Sequence, residues 1–167
     1  TSNDSITING WRDVLFEMVQ DASPSHMVKN FIFDTDTEYV LTKDLNPMAQ
    51  ESILTIFKTT DAEYGVINAN GHSMFKMIDP ISSVTLRNIE IKNASTTSNG
   101  SVAYLANNTA AVNVINSKID NNSADGNGGA IYASRGTVNI SHSTVSNNTA
   151  GGDGGALHIS GEANANI

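Results

Sequence analysis

The amino-acid sequence predicts an all-β chain folded as a parallel β-helix, a solenoid with three strands per coil of about 26 residues, preceded by one amphipathic helix. Four observations carry the prediction. Shifting residues 111–134 by 26 places onto 137–160 gives 11 identities in 24 positions, so that "DNNSADGNGGAIYAS" (120–134) is rewritten as "SNNTAGGDGGALHIS" (146–160). A fainter copy 28 residues upstream sets Val84, Leu86, Asn88, Ile91 and Asn93 on Val112, Val114, Asn116, Ile119 and Asn121, with Tyr104 on Tyr132. Each copy also alternates apolar and polar residues with period 2, as strands do: Val84/Leu86, Val112/Val114 and Val138/Ile140 flank Thr85, Asn113 and Asn139. Finally, the third strand of each coil reads VAYL, AIYA and ALHI, giving inward pairs Ala103/Leu105, Ile131/Ala133 and Leu157/Ile159. Where one layer is small its neighbour is large, as expected of layers that share one interior volume.

In chain order, residues 1–29 hold the helix. Trp11, Val14, Leu15, Met18 and Val19 recur at i, i+3, i+4, i+7 and i+8, Asn9 can cap the start, and Pro24 forbids continuation. So one-sided a helix must lie on something apolar. From Asn30 helical spacing disappears, and residues 30–81 read as irregular first coils: "FIFD", "YVLT", "ILTIF", "YGVIN" and "SMFKMID" are short β-rich runs broken by Asp, Asn, Gly and Pro. Asn70-Gly71 suits a hairpin turn or, in a solenoid, a corner; the repeats favour the corner. Residues 82–167 hold the regular coils, whose second strands carry Ile91, Ile119 and Val145.

The invariant residues between strands fit corners. Asn93, Asn121 and Asn147 follow the second strand by two residues, where Asn tolerates left-handed backbone angles and can pass amide hydrogen bonds from coil to coil. Gly128-Gly129 and Gly154-Gly155 permit the next corner, and the loops "SADGN" and "TAGGD" are expected to touch only solvent.

Bulk composition narrows the chemistry. A net charge of −8, with only 9 Lys and Arg, argues against nucleic acid and against anionic membrane surfaces, which need a basic patch. The absence of Cys removes disulfides, thiolate catalysis and Cys-based zinc sites, and no apolar run approaches the roughly 20 residues of a membrane span. His26, His72, His142 and His158 share no metal-ligand spacing, and no cofactor or metal is expected. Catalysis is not expected either: Asp120, Asp125 and Asp153 form no carboxylate ladder, since Ser146 and Gly151 stand one repeat beyond the first two. The candidate ligand-binding residues are Tyr104, Tyr132 and His158, an outward column repeating at about 4.8 Å per coil. Its alternative role is self-stacking that stabilises the sheet.

Gly-Gly-Ala-Ile (128–131) and Gly-Gly-Ala-Leu (154–157), each preceded by an apolar-x-x-Asn tetrad, Ile119–Asn122 and Val145–Asn148, resemble the GGA(I/L/V) and FxxN repeats of the polymorphic outer membrane proteins. The stretch "GGAIYASRGTVNISHSTVSNNTA" is also similar to repeats of adhesin-like surface proteins of methanogenic archaea and gut bacteria. The resemblance covers residues 82–160, and the tetrads here lack the Phe. It implies a right-handed β-helix of the autotransporter-passenger type, capped by the N-terminal helix over otherwise exposed strand edges. It further implies a secreted or surface-exposed adhesin, at an outer membrane or cell wall, with a role in virulence. The expected partner is a host-cell receptor, a glycan or another surface component, bound by a monomer. Asn166-Ile167 echoes Asn139-Ile140, so the sequence is expected to stop in mid-repeat as the N-terminal part of a longer passenger. The competing expectations are a polysaccharide lyase or hydrolase whose catalytic coils lie elsewhere, and a purely structural stalk.

Overall fold

Residues with period-2 alternation and β-branched side chains pair here with their own copies, one coil away, and always in parallel. The computed structural model describes residues 2–8, 27–33, 38–59 and 63–167, and holds nineteen strands among them, numbered in chain order. The longest sheet has seven strands: β1 (Ser2–Ile8), β2 (Met27–Phe33), β4 (Ile53–Lys58), β7 (Ser83–Arg87), β11 (Ala111–Ile115), β15 (Thr137–Ser141) and β19 (Asn164–Asn166). A five-stranded sheet stacks β3 (Tyr39–Val40), β5 (Gly65–Asn68), β8 (Ile89–Lys92), β12 (Lys118–Asp120) and β16 (Thr144–Ser146). A four-stranded sheet stacks β6 (Phe75–Met77), β10 (Ala103–Leu105), β14 (Ile131–Ala133) and β18 (Leu157–Ile159). The architecture is a parallel β-solenoid. Its register matches the sequence echo residue for residue, with Val84, Val112 and Val138 in one row.

Three features depart from the sequence reading. Each regular coil has four strands rather than three, because β9 (Ser95–Thr96), β13 (Ser123–Ala124) and β17 (Thr149–Ala150) form a small fourth sheet. Two residues are too few to show alternation, which hides such strands in a sequence. The loops "SADGN" and "TAGGD" are therefore not purely solvent-facing: Ala124 is buried, and the Asn127 side chain accepts a 2.7 Å bond from the Asp153 amide. The expected helix on residues 9–24 lies outside the described residues, but the long sheet starts earlier than Asn30. Ser2–Ile8 is already a strand, with Ile6 and Ile8 in register with Phe31 and Phe33.

The core is a set of columns along the solenoid axis. Phe31, Ile56, Leu86, Val114 and Ile140 share one row, and Ile67, Ile91 and Ile119 another, all buried. In the four-stranded sheet the rows Phe75, Ala103, Ile131, Leu157 and Met77, Leu105, Ala133, Ile159 place each alanine between larger residues of the neighbouring coils. Each fully buried Leu or Ile contributes roughly 1.5–3 kcal/mol, but only because the next coil covers it.

Corners are made by left-handed residues in repeating rows. Asn88, Asn116 and His142 have φ of 56, 43 and 50°; Asn93, Asn121 and Asn147 have 59, 55 and 53°. Gly128 and Gly154 need their positive φ of 65 and 69°, whereas Gly129 is required for another reason: a Cβ there would run into the backbone carbonyls of Gly155 and Thr149 in the next coil. Asn70-Gly71 is a corner too, both residues at positive φ, with the His72 amide bonded to the Ala69 carbonyl at 2.8 Å.

Candidate functional site

The outward residue of each strand in the four-stranded sheet is fixed by the burial of its neighbours. With Ala103/Leu105 and Ile131/Ala133 inside, Tyr104 and Tyr132 point outward, and the register continues the row to His158. The rings stack: Tyr104 and Tyr132 centroids are 5.3 Å apart at 15°, and Tyr132 and His158 are 5.4 Å apart at 10°. All three are half-buried. Lys76 stands below Tyr104 in the same row and is exposed. Gly100 keeps the flank open, since a Cβ there would press on the backbone and Cβ of Tyr132. Both faces of Tyr132 are covered by its neighbours, and Tyr104 and His158 each turn one face toward it. What the row offers outward is therefore a line of ring edges and two phenol hydroxyls that have no partner among the described residues.

The polar rows beside it are structural. Asn93, Asn121 and Asn147 supply the corner φ, but their amides do not bond to one another: Asn93 donates to Asn68 at 3.1 Å, and Asn121 and Asn147 donate to the Asp120 carboxylate at 2.6 and 2.9 Å. The amide ladder belongs to the next residue. Asn122 accepts from the Ala94 amide at 2.8 Å and donates to the Ile91 carbonyl at 3.3 Å. Asn148 repeats this on the Asn122 amide and the Ile119 carbonyl, both at 3.0 Å. Each such Asn satisfies an amide and a carbonyl of the coil before it, where the chain leaves the sheet. The apolar-x-x-Asn spacing was the signal for this role. A second ladder runs from Asn166 to Asn139 to Asn113 to Thr85 on the outer face of the long sheet.

Asp120 and Glu90 in the regular coils are held by neighbouring side chains, whereas the Asp125 and Asp153 carboxylates meet no partner among the described residues. Asp120 pairs in register with Ser146 and Lys92, and the Ser146 hydroxyl bonds it at 2.8 Å. That bond first, then those of Asn147 and Lys118, hold its carboxyl below the usual range against the opposing effect of burial. Lys118 reaches Glu90 at 3.1 Å and Asp120 at 3.6 Å, and Lys92 reaches Glu38 at 2.6 Å. Glu38 is lowered by its bonds from Lys92 and then Asn68, while Lys92 and Lys118 are raised chiefly by Glu38 and Glu90. This face is a lattice of opposite charges joining coils.

Two stretches, residues 116–134 and 142–160, match the profile of the Chlamydia polymorphic membrane protein repeat. Each match is the same arc of a coil, from the left-handed corner at Asn116 or His142, through Asn122 or Asn148 and the Gly-Gly-Ala corner, to the end of the four-stranded sheet. Together with the parallel solenoid, the match agrees with a β-helix of the polymorphic outer membrane protein type. No curated protein and no solved structure matches the chain.

Proposed function

We propose that two stacked copies of a surface-protein repeat serve here as an adhesin-type module, exposed at an outer membrane or cell wall, which attaches to a glycan or receptor on another cell. The repeat family supports the surface location. The observation that carries attachment is the Tyr104–Tyr132–His158 row, three stacked rings on the outer face of the four-stranded sheet, with phenol hydroxyls that have no partner among the described residues. A solenoid presents such a row at fixed spacing with little entropy left to lose on binding, so many weak contacts can add along its axis. In this reading the coils wind in the right-handed sense general to parallel β connections, and the module acts as a monomeric part of an autotransporter-type passenger.

The test is adhesion of beads coated with the chain to epithelial monolayers and to arrays of neutral and acidic glycans. Beads carrying the double variant Tyr104→Ala/Tyr132→Ala are expected to lose most of the binding while keeping a parallel-β circular dichroism spectrum. Binding that survives the double variant, or no binding by the unmodified chain, removes the proposal.

A further inference from the structure

Where the seven-stranded sheet bends into the five-stranded one, an open groove of about 520 Å³ is lined by Arg87, Asn88, Ile115, Asn116 and His142. A smaller hollow of about 240 Å³, lined by Thr55, Phe57 and Arg87, adjoins it across the arginine. This corner lies on different sheets from the aromatic row.

The corner row is tied up in its first two coils and open in the third. Asn88 donates to the Lys58 carbonyl at 2.8 Å, and Asn116 donates to Asn88 at 2.7 Å. The third position is His142 rather than Asn, held at the same left-handed angle, and its imidazole bonds to none of the described residues. Arg87 stands in register between Phe57 and Ile115, exposed at the end of β7. Its guanidinium also pairs with none of the described residues, whereas Lys92, Lys118 and Arg135 each sit near a carboxylate. No Asp or Glu among the described residues lines either hollow, although the chain carries 17 acids.

An arginine that pairs with no described residue, in a hollow that no described acid lines, is complementary to one planar anion in a protein with net charge −8. A densely charged polyanion would meet repulsion from the rest of the surface. Phe57 and Ile115 offer apolar area on either side of the charge, His142 offers an imidazole to hydroxyl groups, and Asn116 offers the side-chain oxygen that its bond to Asn88 leaves unused. The groove has the volume of a small-ligand site. We infer that this corner binds a carboxylate-bearing sugar, Arg87 holding the carboxylate while Ile115, Asn116 and His142 seat the ring. The inference stands apart from the aromatic row and survives that row's failure.

The experiment is a titration of digalacturonate into the ¹⁵N-labelled chain, followed by amide chemical shifts, with acetate, lactose and an Ala-Glu-Ala peptide as separate arms. Digalacturonate is expected to shift Arg87, Asn116 and His142 saturably, and more tightly than the other three. Arg87→Gln, at an exposed position, is expected to keep the melting temperature and weaken binding about tenfold, or about 1.4 kcal/mol. Arg87→Lys should fall between, and Tyr132→Ala should leave the titration unchanged. Absence of saturable shifts with digalacturonate overturns the inference, as does indifference to Arg87→Gln. Equal binding of acetate, lactose or the peptide overturns it too, since each would reveal a site without sugar-acid selectivity.

Discussion

Replacing Asn122 with Ala tests the division of labour within the Asn-Asn pair. The side chain is 1% exposed and makes three bonds across coils: it accepts from the Ala94 amide at 2.8 Å, and donates to the Ile91 carbonyl at 3.3 Å and to Asn148 at 3.0 Å. Truncation strands the buried Ala94 amide, which costs about 1–3 kcal/mol for one unsatisfied group, and removes two further bonds worth about 0.5–1.5 kcal/mol each. Asn148 keeps its bond from the Asn122 backbone amide, so part of the loss is spared. The expected destabilisation is about 2–4 kcal/mol, equivalent to a melting-temperature drop of roughly 5–15 °C for a chain of this size. Asn121→Ala is the control. It loses one short bond to Asp120 and places Ala at φ of 55°, a cost of about 1–2 kcal/mol. Thermal and urea unfolding, followed by circular dichroism, give the two values, and hydrogen exchange reports on the Ala94 amide directly. A greater loss in Asn121→Ala, or an Ala94 amide that exchanges no faster in Asn122→Ala, contradicts this division of roles.

Two further outcomes follow from the same geometry. Gly129→Ala drives a methyl into the carbonyls of the next coil and is expected to cost about 3 kcal/mol or more, while Gly71→Ala, strained at φ of 82° but facing open space, is expected to cost about 1 kcal/mol; urea midpoints rank them, and equal losses contradict the close-approach account. Glu38 and Asp120 are lowered in the folded chain, so their contribution is present above the ordinary carboxylate range and lost as pH falls through their folded values. Lys92 and Lys118 are raised, so theirs is present below the ordinary lysine value and lost as pH rises through the folded one. Melting temperature should therefore decline at both extremes, and Asp120→Asn should flatten the acid limb; an unchanged acid limb would show that the Asp120 bonds carry no net stability.

Much of this molecule was legible in its sequence because a solenoid writes each contact twice. Val112 and Val138 face each other across a coil, so the packing that selects one selects the other, and the shift of 26 residues is the contact map itself. The same logic made Tyr104, Tyr132 and His158 a column before any coordinates were known. What stayed hidden was written too briefly or only once. The two-residue strand Ser123–Ala124 is shorter than a period of alternation, and the strand Ser2–Ile8 has polar residues through its first half. Asn122 was masked by its neighbour Asn121, since both repeat at the shift of 26 and the coordinates separate the residue that bends the chain from the one that bonds it. The groove at Arg87 could not be read at all: it depends on what lies between columns, and on an arginine that has no copy in the other coils.

The register itself is open to direct test, because the chain has no cysteine to interfere. Asn113 and Asn139 are paired on adjacent strands, and parallel neighbours lie about 4.8 Å apart, within disulfide reach. Oxidation of Asn113→Cys/Asn139→Cys should yield an intrachain disulfide in the monomer by mass spectrometry. Asn113→Cys/Ser141→Cys, displaced two residues along the strand to roughly 8 Å, should stay reduced. A disulfide that forms equally well in the displaced pair, or fails in the aligned one, would contradict the stacking of like residues on which the whole account rests.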